Sequence, residues 1–389
     1  MLKAAITGIG MSQVGRTTMR PAIDHLADAA LAAIADAGLT RDDIDGITTY
    51  PGKSDTSPGM SPLGVGEVRN ALGLKTRWHS SSGEGPAQMS PLMIAAMAVT
   101  TGQARHVLVF RALTESSSQS AGRRASIPSG SGSRLTGWTS WLLPMGAYSA
   151  ATWTAQFASR IMHDYGLTRE HLGTIAVGQR SNAMKNPRAL MRDKPLTMEE
   201  YMAARPISTP LCLFDCDIPI DGACVIIVSA ADAAKDLRRP PIHIEAMGAA
   251  LQEKDSWDQR ADLTTMASHD AAADMWKRTD LKPKDVDVLA LYDGFSIFVP
   301  MWIEAFGFCG KGEAPDFIAE GNTLLGGRFP VNTGGGQLSA GRLHGFGLLH
   351  EACTQFWGEG GERQVKDAKT AVVGMGGGPL AGAMLIRRD

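Results

Sequence analysis

The side chains that could move a proton or steady a developing charge gather in two stretches of the second half. One is Tyr292-Asp293-Gly294-Phe295, at the end of an apolar run; the other is Asn332 to Gly347, NTGGGQLSAGRLHGFG, a glycine-rich turn carrying Arg342 and His344. A phenol can give a proton or, once ionised, take one, and an imidazole titrates near neutrality. A guanidinium stays charged at any working pH, so Arg342 can favour a phenolate or clamp an anion but cannot act as a base. Backbone N–H groups of a turn such as Gly335-Gly336 can bind an oxyanion. Plainer readings stand beside each of these. Tyr292 fits a core ring with a satisfied hydroxyl, Asp293 a helix cap, Arg342 an ion pair with Glu351, and His344 a structural place in the turn.

Other chemistry-bearing motifs are weaker. Ser80-Ser81-Ser82-Gly83 precedes a helical pattern, where N-capping accounts for at least one serine. Cys309, in Gly307-Phe308-Cys309-Gly310-Lys311, fits a buried structural thiol better than a reactive one. Gly376-Gly377-Gly378 imitates a phosphate loop, but no G-x-x-x-x-G-K-[ST] occurs. No carboxylate-histidine or paired-cysteine spacing suggests a metal, and none is expected.

The elements that must position these groups read as a duplicated α/β pattern. Residues 2 to 8 predict a buried strand, Pro21 to Gly38 a helix closed by glycine, and Asp43 to Tyr50 a second strand. Strand, helix and strand with short connections favour a parallel sheet covered by helices. The phrase LTRDDIDGI from Leu39 returns as LKPKDVDVL from Leu281, at a constant offset of 242 residues that also carries Tyr50 onto Tyr292. In each half a strand then meets a small-residue turn, at Trp78 to Gly83 and at Val331 to Gly334, followed by a helix. Each half closes on an apolar strand, His106 to Phe110 and Thr370 to Gly374. Two such halves bring their helix N-termini to a shared centre.

The division expected is 1–235 for the first half, with an excursion over about 115–213, and 236–389 for the second. The opening of the excursion, Ser116 to Gly137, is rich in Ser, Gly and Arg and reads as a flexible surface segment. Ala147 to Tyr165 reads as a helix over a pocket or packed into core. Bulk composition sets the outer limits. At 389 residues the chain exceeds one core, and 44% hydrophobic with 20% charged residues is a globular balance. A net charge of -2 argues against nucleic acid or a membrane surface as partner. Five scattered cysteines suit a reducing compartment. The start MLKAAITGIGM has no charged-then-apolar leader and the end IRRD is no peroxisomal address, so a cytoplasmic location is expected.

Glycine frame, duplication, excursion and the terminal GMGGGPLAGAMLI together resemble the thiolase superfamily over essentially the whole chain. Leu291 to Gly312, LYDGFSIFVPMWIEAFGFCGKG, is similar to the branch holding the sterol carrier protein thiolases and the steroid-CoA side-chain-cleaving aldolases. The resemblance implies a thiolase fold, two duplicated halves with pseudo-twofold symmetry, layered α/β/α/β/α, plus an inserted loop region. It also implies an acyl-CoA substrate, with coenzyme A as part of the substrate and no tightly bound cofactor. A homodimer and a separately encoded OB-fold and zinc-ribbon partner are implied too.

Laid on the family's N-x-x-G-G-x-x-x-x-G-H-P-x-G frame, Asn332, Gly335, Gly336, Gly341 and Gly345 match and Arg342 replaces the catalytic histidine. The nucleophile position falls on Ser80, and the acid/base cysteine of C-x-G-G-G falls on Gly374. No nucleophile remains that fits acyl-enzyme chemistry, since a serine without a base attacks thioesters poorly. Tyr292 matches one of the two tyrosines of the resembled aldolases, and Arg342 stands where the second would be. The function implied is therefore a retro-aldol C–C lyase on a 3-hydroxyacyl-CoA, with Tyr292, Arg342, His344 and Asp293 as catalytic residues. Ser80, Gly335, Gly336 and Gly377 would line the substrate, and Arg123, Arg124 and Arg134 would meet the CoA phosphates. An acyltransferase and a non-catalytic acyl-CoA or lipid binder are the rival readings.

Overall fold

The computed structural model describes residues 3–54, 57–81, 85–122, 137–252 and 254–389. The first half runs β1 (Ala4–Met11), α1 (Ala22–Ala37), β2 (Gly46–Thr49), α2 (Val65–Leu72), β3 (Trp78–Ser81), α3 (Ser90–Thr100) and β4 (His106–Thr114). An inserted region follows, with α4 (Glu115–Ser120), α5 (Thr139–Leu142), α6 (Ala150–Tyr165), α7 (Arg169–Met184), α8 (Met198–Ala203) and a small hairpin, β5 (Pro206–Ser208) with β6 (Leu211–Cys212). Strand β7 (Asp221–Ala230) and α9 (Ala231–Ala234) return to the first half. The second half runs β8 (Ile242–Leu251), α10 (Ala267–Trp276), β9 (Val288–Leu291), α11 (Phe298–Phe306), α12 (Ala314–Ala319), α13 (Phe346–Phe356), β10 (Thr370–Gly377) and β11 (Leu380–Arg387).

The repeated phrase folds twice in the same way. A 3-10 turn spans Arg41–Asp43 and another Pro283–Asp285, leading into β2 and β9 at the same offset of 242. Asp43 accepts from Thr40 N–H at 2.7 Å and Asp285 from Lys282 N–H at 2.9 Å. Asp45 accepts from the N–H groups of Arg105 and His106, and Asp287 from those of Lys369 and Thr370. Each aspartate satisfies the free amides that open the next strand, so the identities within the echo are structural.

The main sheet has the order β3-β2-β4-β7-β1-β8-β11-β10-β9, the same arrangement read outward from the β1–β8 contact in both directions. Val331 pairs with Leu289 where β3 pairs with β2 in the other half. The expected parallel sheet holds for β2 with β3 and β4, and for β9 with β10. The remaining pairs are antiparallel, because β10 and β11 form a hairpin and β7 enters from the inserted region instead of a helical crossover.

Alternation along the strands builds three apolar layers. Val107 and Val109 face one cluster while Leu108 and Phe110 face another, and Val288 and Ala290 part from Leu289 and Leu291 in the same way. One cluster lies under α1 and α2, one joins both halves around α3 and α13, and one lies against α6, α7, α10 and α11. Helices therefore cover each face of the two half-sheets and fill the space between them, the five-layered α/β/α/β/α arrangement.

Part of the expected surface excursion is buried instead. Ser116, Ser117 and Ser118 sit in α4. Their hydroxyls are used inside: Ser116 Oγ accepts from Thr17 N–H, and Ser117 Oγ accepts from Met19 N–H and donates to Asp221. A polar run thus packs inward because each of these hydroxyls has a backbone or carboxylate partner. Arg123, Arg124 and Arg134 lie outside the described residues.

Candidate active site

Tyr292 is placed by the strand end and by the frame asparagine. Asn332 Oδ1 accepts from Leu291 N–H at 2.9 Å and its Nδ2 donates to Leu291 O at 2.8 Å, so a side chain extends the β9 ladder. The Tyr292 N–H then donates to Gly374 O at 3.0 Å. Its half-buried ring lies over residue 294, where an added Cβ would come 2.8 Å from Tyr292 Cε1.

Asp293 is fully buried, and both its oxygens accept from Gln337 N–H, at 3.0 and 2.9 Å. It anchors the start of the π-helical turn Gly336–Ala340. Gly336 sits there with φ of 60°, and a Cβ on it would lie 2.0 Å from Asp293 Oδ2, so only glycine fits. Gln337 Oε1 accepts from Gly345 N–H at 3.0 Å, its Nε2 is buried without a hydrogen-bond partner among the described residues, and the side chain pulls the Tyr292 hydroxyl toward lower pKa.

Arg342 does not pair with Glu351. Its Nη1 donates to Asp217 Oδ1 at 2.9 Å and its Nη2 to Glu115 Oε1, both carboxylates being almost fully buried. Glu351 is taken by Arg363, at 2.9 and 3.0 Å, and by Thr333 and Gln355. A short buried pairing distance across 125 residues of sequence leaves no local trace. His344, in a left-handed backbone conformation with φ of 51°, accepts through Nδ1 from Arg111 Nη2 at 3.1 Å. In a neutral ring the other nitrogen then carries the proton. Arg111, on β4, is 1% exposed; its Nη1 donates to Tyr50 O, and its Nε has no partner among the described residues.

Burial dominates the electrostatics. It raises Asp217 to about 7, with Arg342 opposing and Glu115 and Asp293 reinforcing, and it raises Asp293 to about 7 against the turn amides. The Arg342 guanidinium is held above its ordinary value because Asp217 and Glu115 outweigh its own burial. Arg111 falls to about 10 through burial, with Glu115 and Tyr292 opposing. His344 is held well below its usual value by burial and by Arg111 and Arg342, so it stays neutral. Tyr292 is raised, by burial first and Asp217 next, while Arg342 and Gln337 pull the other way without prevailing. Arg342 thus acts on the phenol electrostatically, but the phenol keeps its proton.

Ser80 is half-buried on β3, the edge strand, opposite Thr48. Gly335 N–H is committed to Asn332 O at 2.8 Å. Gly377, with φ of 134°, pairs with Leu380 in the β10–β11 hairpin. At Gly374 the missing side chain is replaced by Trp302, whose indole would lie 2.7 Å from a Cβ and donates to Gly376 O at 3.2 Å. Cys309 is half-buried and pushed up to about 12 by burial, then by Glu304 and Glu313, which fits the structural reading.

Asp217, Glu115 and Arg111 are the members that sequence reasoning missed. The one signal was a pair of acidic residues, Asp215 and Asp217, set among apolar neighbours in LFDCDIPI. A cavity of about 360 Å³ also borders the glycine turn, lined by Gly336 and Gln337 with Met11, Asn186, Arg188 and His350, but by neither Tyr292 nor Arg342. Its acidic groups Asp36, Glu351 and Glu359 are already paired with Arg239 and Arg363. From Tyr292 a row of rings runs outward through Phe298, Trp257, Trp153 and Trp138, with centroids 6.1, 6.3, 5.9 and 4.9 Å apart in turn.

Residues 249–386 match the family model described as thiolase C-terminal domain-like. A steroid side-chain-cleaving aldolase of Thermomonospora curvata is 37% identical over 90% of this chain and 89% of its own length. The 17-hydroxy-3-oxo-4-pregnene-20-carboxyl-CoA lyase of Mycobacterium tuberculosis is 35% identical over 92% of each chain. Among solved structures, the Ltp2-ChsH2(DUF35) aldolase superposes with a TM-score of 0.87 at 34% identity, over 99% of this chain and 98% of the other.

Proposed function

The chain belongs to the thiolase-like, sterol carrier protein 2 thiolase family, and on that premise we propose that it is a retro-aldol C–C lyase acting on a 3-hydroxyacyl-CoA. The products are a ketone or aldehyde and a shorter acyl-CoA. One observation carries the reading: a buried proton-handling cluster surrounds a protonated phenol, while Trp302 fills the space at Gly374 where the family's acid/base cysteine would stand. Such a site can stabilise and protonate an enolate but has no means of capturing an acyl group.

Tyr292, held as a phenol, gives its proton to the α-carbon of the enolate. Arg111 and the protonated nitrogen of His344 face the developing charge on the thioester oxygen, and Arg342 holds the carboxylates in register. Asp293 acts through the turn it anchors. The aromatic row from Tyr292 to Trp138 suits a large, flat acyl group, in line with the steroid substrates that the names of the two relatives record. Coenzyme A enters as part of the substrate, with Ser80 and the glycine turns along its path. The name of the structural neighbour pairs two components, which supports a separately encoded partner for this chain too; an OB-fold and zinc-ribbon identity for it, and self-association of this chain into a dimer, are carried by the family resemblance.

Carbonyl release from a polycyclic 3-hydroxyacyl-CoA, assayed with such a partner present, tests this. The wild type should release carbonyl product, and Tyr292→Phe should lower turnover about 100-fold or more while substrate binding persists. Equal turnover in both proteins would remove Tyr292 from the chemistry.

A further inference from the structure

The retro-aldol reading leaves open which group takes the proton from the substrate's 3-hydroxyl. We propose that Asp217 is that general base, an assignment that rests on the lyase reading above. Its backbone is stitched to both stretches that carry the chemistry. Asp217 N–H donates to Gly294 O at 3.1 Å, Ile218 N–H to Gln337 O at 3.3 Å, and Arg342 N–H to Ile218 O at 3.0 Å. The carboxylate therefore sits between the Tyr292 loop and the glycine turn, and it acts electrostatically on the phenol.

The other titratable groups of the cluster are less suited, by chemistry, contacts or placement. Arg342 cannot accept a proton. His344 Nδ1 is occupied by Arg111, and its other nitrogen already bears a proton. Asp293 is fully buried with both oxygens engaged by the turn amides. Glu115 shares the same arginine but sits on α4, and among the described residues its backbone has no bond to the Tyr292 loop or the glycine turn like those of Asp217 and Ile218. Arg342 divides its two terminal nitrogens between Glu115 and Asp217 instead of clamping one carboxylate with both, so neither receives the full neutralisation of a bidentate pair. Burial leaves Asp217 titrating at about 7, where a base is most effective.

The step balances within the site. A carboxylate oxygen of Asp217 takes the hydroxyl proton, and the O–H pair becomes the new C=O bond. The Cα–Cβ bond breaks, and its electron pair is delocalised onto the thioester oxygen as an enolate. Tyr292 then protonates Cα, and the proton held by Asp217 returns to the phenolate, restoring both groups.

Facing Asp217 are Arg342, Glu115, Asp293 and Tyr292, with Cys216 as its chain neighbour. Because the base must be ionised, carbonyl release in the wild type should rise with pH through an acid limb centred near 7. Asp217→Asn keeps the side-chain oxygen that Arg342 binds; it should lose that limb and about 100-fold or more in turnover. Binding of a saturated acyl-CoA that lacks the 3-hydroxyl should persist.

Glu115→Gln gives a second reading that leaves Asp217 in place. Removing a neighbouring negative charge should move the acid limb to lower pH, whereas a limb due to Asp293 would stay. A flat wild-type profile across pH 5.5–8, or an Asp217→Asn enzyme with near-normal turnover, would overturn the assignment. So would a limb unmoved in Glu115→Gln. A wild type that releases no carbonyl would instead defeat the lyase reading itself.

Discussion

Residue 374 and Trp302 compete for one volume: an added side chain would start 2.7 Å from the indole. Gly374→Cys is therefore expected to destabilise the protein by about 1–3 kcal/mol, as overpacked cores do, and to yield no acyl-enzyme. A thermal melt and an intact mass after mixing with acyl-CoA would check both. Arg342 offers a further test. Replacing it with glutamine strips two buried carboxylates of their cation, a loss of about 3–5 kcal/mol by the usual cost of breaking a buried pair. Since Arg342 holds the Asp217 titration down, the acid limb of the pH–rate profile should move to higher pH in Arg342→Gln. Tyr292, Arg342 and His344 were visible in the sequence because two short motifs carry them. Their partners were not, because Glu115 meets Arg342 across 227 positions and Arg111 meets His344 across 233. Contacts of that span have no periodicity or spacing to betray them.

The glycine turn and the aromatic row can each be perturbed as elements. Gly336→Ala forces a Cβ onto Asp293 at a left-handed position, so turnover should collapse. A circular dichroism spectrum showing an intact fold would confine the damage to the turn. Trp153→Leu interrupts the row between Trp257 and Trp138. It should raise KM for a polycyclic substrate about tenfold, on the scale of one aromatic contact, and leave a short 3-hydroxyacyl-CoA unaffected. The echo at an offset of 242 signalled the duplication that the strand order repeats, though not the 3-10 turns that open each copy; its aspartates recur because they cap the same geometry in both halves. The serine run of α4 misled for the opposite reason. Its composition resembles a solvated linker, and only the distant amides of Thr17 and Met19 make it an interior element that delivers Glu115.

At the level of the whole molecule, the scaffold joins two half-sheets through β1 and β8 and gathers its reactive groups from β4, α4, the loop before β7, the end of β9 and the glycine turn. Among the described residues no helix is long and apolar enough to cross a membrane. Drawing the site from so many segments lets the backbone hydrogen bonds between them fix its geometry, which suits proton transfers. The measurement that tests the account most directly follows both carbon fragments of one substrate. A 3-hydroxyacyl-CoA with a polycyclic acyl group and an isotopic label at Cα is incubated with the protein and its partner, and small molecules and intact protein are weighed together. Equal amounts of the free polycyclic carbonyl compound and of a shorter acyl-CoA bearing the label, with the protein mass unchanged, are predicted. A protein heavier by an acyl group, with free coenzyme A and no carbonyl compound, would contradict it.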